Sequence, residues 1–130
     1  QVGSSAASDV YKRQAYYRLA GAKLGKGVQI NTINLNDPSA VTVGDNVVIG
    51  GRSVINGHLV EKGQLVLARV HLEKNCLIGA GTTIQPGVRI GEGAVIATNG
   101  LVGKWKEIPA GEVWGGLPVK LISKSSDRKA

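Results

Sequence analysis

Residues 72–119 read, broken every six, as LEKNCL IGAGTT IQPGVR IGEGAV IATNGL VGKWKE IPAGEV WGGLPV. An aliphatic or aromatic residue opens every block: Leu72, Ile78, Ile84, Ile90, Ile96, Val102, Ile108 and Trp114. A period of six fits neither the 3.6-residue helix nor the two-residue alternation of a strand. The chain is therefore a repeat, whose units bury their apolar faces only by stacking.

Working outward, VGDNVV (43–48) and IGGRSV (49–54) are earlier copies, and Leu24 and Ile30 begin the register. The second place is often Gly, as at Gly44, Gly50, Gly79 and Gly91, where a permissive backbone helps the chain turn a corner. The fifth place is usually small: Val47, Ser53, Cys76, Thr82, Val88, Ala94, Gly100. This pattern predicts short strands whose first side chain fills an axis while the fifth packs beside it.

Hexads with a leading Leu, Ile or Val, a following Gly and a small fifth residue resemble the hexapeptide-repeat family. The resemblance implies an all-β fold, a single-stranded left-handed parallel β-helix with one protruding loop, three hexads making one turn of a triangular prism. Handedness comes from the resemblance alone and runs against the usual right-handed crossover. A right-handed β-helix is the alternative.

The 130 residues suit one domain, which buries about two thirds of its unfolded surface. Nineteen Gly with two Trp, three Tyr and no Phe or Met fit a ladder of aliphatic stacks. The formal charge of +7 lacks the clustering or recognition motif that nucleic-acid binding requires. Lys104, Lys106, Lys120, Lys124, Arg128 and Lys129 suit an anionic small ligand instead. The single cysteine, Cys76, excludes an intrachain disulfide and reads as packing. No apolar run has membrane-spanning length and no export signal opens the chain, so a cytoplasmic protein without membrane partners is expected.

Residues 1–14 carry no register and read as a non-native or disordered leader; SSAASDVYKRQ (4–14) resembles translated adapter sequence. The β-helix domain is expected over 15–122 and a flexible basic tail over 123–130. The register breaks twice. NTINLNDPSA (31–40) carries turn chemistry, and NGHLVEKGQLVLARV (56–70) loops out, leaving Ile55 and Leu72 one residue short of three hexads apart. An excursion from a regular stack is where function usually sits.

The stretch VTVGDNVVIGGRSVINGH (41–58) resembles the catalytic segment of hexapeptide acetyltransferases of the galactoside and xenobiotic type. The resemblance carries the catalytic base to His58, which takes a proton from an acceptor hydroxyl or amine so that it attacks an acyl-CoA directly. Imidazole ordinarily titrates near neutrality and suits that work; the bland reading is a solvated loop histidine. Asn34 is a weak candidate for holding the acceptor, against turn chemistry, and Glu61 for supporting the imidazole, against a merely solvated charge. His71 is read as a surface residue. With only two histidines the three-histidine zinc site of γ-class carbonic anhydrases cannot be assembled, and no metal is expected.

WGGLPVKLI (114–122) resembles the family's closing motif, with Gly116, Pro118 and Lys120 matching and Val119 replacing Ala. By that resemblance acetyl-CoA or another acyl-CoA lies along the outer groove of the last coils, near Asn99, Gly100, Lys104 and Lys120. Trp105 faces outward and is open to stacking on adenine, while Trp114 stands in the inward ladder. The reading is an O- or N-acyltransferase acting on a small hydroxyl- or amine-bearing acceptor, with a homotrimer expected from the family. The alternatives are a β-helical module of a larger non-ribosomal peptide or amino-acid polymer synthetase, and a non-catalytic structural solenoid.

Overall fold

The computed structural model describes residues 12–32 and 34–124. Five coils follow one another. The first holds β1 (Lys23–Leu24), β2 (Gln29–Ile30) and β3 (Asn34–Leu35), and the second β4 (Val41–Val43), β5 (Val48–Ile49) and β6 (Val54–Ile55). A hairpin of β7 (His58–Glu61) and β8 (Gln64–Leu67) then projects from the stack. The third coil has β9 (Val70–Leu72), β10 (Leu77–Ile78) and β11 (Thr83–Ile84); the fourth has β12 (Arg89–Ile90), β13 (Val95–Ile96) and β14 (Leu101–Val102). β15 (Glu107–Ile108) and β16 (Val113–Gly116) form a partial fifth, and β17 (Val119–Ser123) closes the chain.

Equivalent strands form three parallel faces: β1, β4, β9, β12 and β15 on the first; β2, β5, β10, β13 and β16 on the second; β3, β6, β11 and β14 on the third. Ile78 pairs with Ile96 and Ile84 with Val102, each three hexads on. Across the excursion the pairing of Ile55 with Ile84 keeps the same alignment. Ile55 and Leu72 thus sit on successive faces, and the extra length between them goes into the hairpin rather than a shortened turn.

The leading residues Ile78, Ile84, Ile90, Ile96 and Val102 and the fifth-place Val47, Ser53, Thr82, Val88 and Ala94 are wholly buried. Cys76 belongs to the same interior, where burial pushes its thiol up to about 12, as inert packing requires. Trp114 is half-buried against this core; its Nε1–H donates to Glu112 Oε1 at 3.0 Å and the Lys106 ammonium stands 4.5 Å from its ring centre.

The corner chemistry differs from the sequence expectation in one respect. The left-handed residue is the fourth of each hexad, with positive φ at Asn75, Gly81, Gly87, Gly93, Asn99, Trp105 and Gly111. The second-place glycines serve close stacking instead: a Cβ on Gly44, Gly50 or Gly91 would lie 2.5 Å from the backbone nitrogen of Lys74, Ala80 or Ala110 in the next coil.

Two boundaries also move. A helix, α1, spans residues 12–19, so the leader boundary at residue 14 falls inside it. Its side chains satisfy carbonyls that the first coil would leave unpaired: Gln14 donates to Val28 O, Arg13 to Ile30 O and Tyr17 to Thr32 O. At the other end β17 pairs antiparallel with β16 as far as Ser123, one residue into the expected tail. The leader as far as residue 11 and the tail from residue 125 lie outside the described residues. Among the described residues no helix is long and apolar enough to cross a membrane.

His71 stands on the outer side of the first face, paired in register with Thr42 and Arg89. It is half-buried rather than free on the surface. Desolvation, then the Arg89 and Arg69 cations, lowers its pKa.

Candidate functional site

Both register breaks fall on the edge between the third and first faces. In the first coil this edge holds Asn36, Asp37 and a 3-10 turn over Pro38–Ala40; in the second it holds the hairpin. Asp37 adopts a left-handed conformation at φ 58° before Pro38, and its side chain makes no capping bond to the turn. That leaves the carboxylate free to face the next coil.

Gly57 brings the two coils together. A Cβ there would meet Ala40 Cβ at 2.7 Å and Asp37 Cβ at 3.2 Å, so only glycine lets the hairpin leave the stack directly over Asp37. The neck is closed by Ala68 N–H donating to Gly57 O at 2.9 Å. Lys62 and Gly63, both at positive φ, make the two-residue turn at the hairpin's tip. His58, first residue of β7, then meets Asp37, its Nδ1 against Asp37 Oδ2.

With Nδ1–H donated to the carboxylate, Nε2 keeps its lone pair and is the nitrogen that can take a proton. His58 is 43% exposed and Asp37 28%, so the pair is reachable from solvent. A cleft of about 640 Å³ opens on it, lined by Tyr16, Tyr17, Leu35, Asn36, Asp37 and His58 among others. Asn36 is fixed by donating from Nδ2 to Asn56 Oδ1 at 2.6 Å. Tyr16 meets the buried Tyr17 edge-on at 5.7 Å. Arg13 of α1, which donates to Ile30 O, reaches the same cleft.

Several sequence candidates fall elsewhere. Glu61 does not support the imidazole: it pairs with Lys104 Nζ at 3.5 Å, because residues three apart on a strand project to opposite faces. Asn34 is not among the residues lining the cleft; its backbone N–H donates to Thr32 Oγ1, and Asn36 is the asparagine at the site. Gly100 is not open to a ligand. It is buried, with Ile96, Val119 and Ala97 O each within 3.2 Å of where a Cβ would be, so its missing side chain serves packing. Asn99 is an exposed corner residue between the second and third faces, Lys104 lies on the hairpin edge, and Lys120 is on β17 opposite Gly115. One chain does not gather these three into one site.

The residue that sequence reasoning missed is Asp37. Its signal was the coincidence of the two breaks: Asn-Asp-Pro and the His58 loop interrupt the register at the same corner of successive coils.

Residues 69–104 match the family model of the bacterial transferase hexapeptide (six repeats), and residues 40–63 that of the hexapeptide repeat of succinyl-transferase. The putative acetyltransferase YvoF of Bacillus subtilis is 33% identical over 114 residues, covering 85% of this chain and 65% of that protein. The delta-poly-L-ornithine synthetase of Acinetobacter baumannii is 29% identical over 107 residues, covering 82% of this chain and 8% of the synthetase. The hexapeptide-repeat containing acetyltransferase VCA0836 of Vibrio cholerae, in its complex with acetyl coenzyme A, superposes with a TM-score of 0.72 at 23% identity, over 80% of this chain and 60% of that one. That likeness speaks for the fold. The chain spans less than two thirds of the length of these curated relatives.

Proposed function

Because the chain belongs to the hexapeptide-repeat transferase family, we propose that it is an acyl-CoA-dependent O- or N-acyltransferase, built on a left-handed β-helix, with His58 as general base. The observation that carries the proposal is the His58–Asp37 pair facing an open cleft at the root of the hairpin. VCA0836, of similar fold, is described with acetyl coenzyme A, which supports an acyl-CoA donor here.

In this mechanism Asp37 holds the imidazole by Nδ1–H, and Nε2 removes the proton from an acceptor hydroxyl or amine as its oxygen or nitrogen attacks the thioester carbonyl. The carbon–sulfur bond breaks, the imidazolium returns its proton to the departing thiolate, and an ester or amide and free coenzyme A leave. The Asp37 charge stabilises the imidazolium between these steps. Asp37→Asn keeps the shape but loses that charge and permits the wrong tautomer; kcat is expected to fall by about a hundredfold, the lower end of what a positioned general base contributes. A steady-state comparison with wild type checks this, and an unchanged kcat would show the pairing to be incidental.

The outward row of Val48, Leu77, Val95 and Val113 on the second face supports the expected homotrimer, which would cover it; in that assembly Asn99, Lys104 and Lys120 of facing copies would share one donor groove.

A second reading has an observation of its own: the match to the polyornithine synthetase covers most of this chain and a small part of that protein. There the β-helix would be a module of a longer polypeptide. Calorimetric titration of acetyl-CoA separates the two. The transferase reading expects one site per chain, weakened about fivefold in Lys120→Ala, the loss of an exposed ion pair. No heat at millimolar ligand with folded protein would sink it.

A further inference from the structure

The hairpin has two unlike faces. His58 stands directly across from Leu67 and Val60 from Leu65. Side chains alternate along a strand, so these four share one face while Leu59, Glu61, Gln64 and Val66 share the other. Glu61 pairs with Lys104 of the fourth coil, which turns its face toward the later coils, and there Leu59 and Val66 are half-buried. His58 meets Asp37 of the first coil, so its face looks the opposite way, over the cleft and α1.

The histidine's face is the one left bare. Val60 and Leu65 are each 68% exposed and Leu67 61%, and among the described residues no third strand joins β7 and β8. A two-stranded hairpin with an uncovered apolar side is marginal in water and invites edge pairing, a hazard that charged side chains ordinarily blunt. Here the polar Glu61 and Gln64 are spent on the opposite face, and the side beside the histidine is kept wholly aliphatic.

The cleft continues that row. Tyr16, 64% exposed, Leu35 and Pro38 line it, and apart from Arg13 its charged and amide groups gather at the root, in Asn36, Asp37 and His58. A molecule that presents a hydroxyl or amine to Nε2 has the bare side of the hairpin on one flank. We propose that the acceptor carries an apolar alkyl or aryl body, which packs against Val60, Leu65 and Leu67 while its hydroxyl or amine meets His58. The inference rests on the acyl-transfer reading above and gives that reading's acceptor a chemical class.

The probes are 1-butanol, 1-hexanol and 1-octanol, each titrated into the full chain with coenzyme A present and followed by ligand-observed NMR, with acetyl-CoA titrated in parallel. Wild type is expected to bind about two- to fourfold more tightly for each added methylene, the worth of burying it. In Val60→Ser/Leu65→Ser the gradient is expected to flatten, with 1-octanol about tenfold weaker and 1-butanol little changed. Gln64→Ala, on the opposite face, should keep the gradient. Both variants should hold the wild-type Tm and native mass, because the altered side chains are exposed. An unchanged gradient in the double variant, or none in wild type, would overturn the apolar wall and leave acyl transfer standing wherever acetyl-CoA still binds. A double variant of lower native mass would overturn it too, marking the face as a contact between copies. Alcohol binding by a protein that takes no acetyl-CoA removes acyl transfer and this inference with it.

Discussion

His58→Ala is expected to lower kcat for acyl transfer by about 10²–10⁴-fold, the usual worth of a positioned general base. The expectation follows from geometry rather than from the histidine alone. Asp37 fixes one nitrogen, the cleft reaches the pair from solvent, and among the described residues the other histidine, His71, lies on the outer side of the first face. Affinity for acetyl-CoA and Tm should stay close to wild type, because the side chain is exposed and belongs to no core layer. Single-turnover measurement with saturating donor isolates the step. A variant with wild-type kcat would return His58 to the status of a solvated loop residue.

The largest effect on stability is expected from Ile84→Ala. Ile84 is wholly buried, paired with Ile55 below and Val102 above in one axial column. Neither neighbour can collapse into the space without leaving its own ladder, so the loss is expected at about 2–5 kcal/mol, a large share of the roughly 5–15 kcal/mol that holds a domain of this kind. Urea unfolding monitored by circular dichroism measures it. Leu101→Ala, on the outward side of the same face, should cost far less in the isolated chain, and equal costs for the two would refute the axial column as the source of stability.

The stacked fold was legible because each hexad states its core residue at a fixed place, and the sequence pattern repeats it from Leu72 to Trp114. The hairpin was visible only as an interruption, since Lys62-Gly63 is a weak turn signal beside Asn-Gly. Asp37 reads locally as turn chemistry, because its pairing with His58 spans 21 residues, which no local pattern records. Glu61 is near His58 in sequence, yet alternation along β7 sets it away from the imidazole. In sequence, Gly100 and the second-place glycines read as serving ligand approach and turning. Their actual constraint is the neighbouring coil, a distance that periodicity alone does not supply.

The ends of the stack bear on another matter, the tendency of parallel ladders to recruit more of themselves. A bare terminal coil offers a row of unpaired amides and carbonyls to any like strand. Here α1 takes up carbonyls of the first coil, and β17, running antiparallel, occupies the far edge of the second face. The last strands of the other two faces, β14 and β15, are two residues each, as are the interior strands that pair. Growth by the same parallel pairing is thereby opposed on the second face, where the antiparallel β17 has taken the edge.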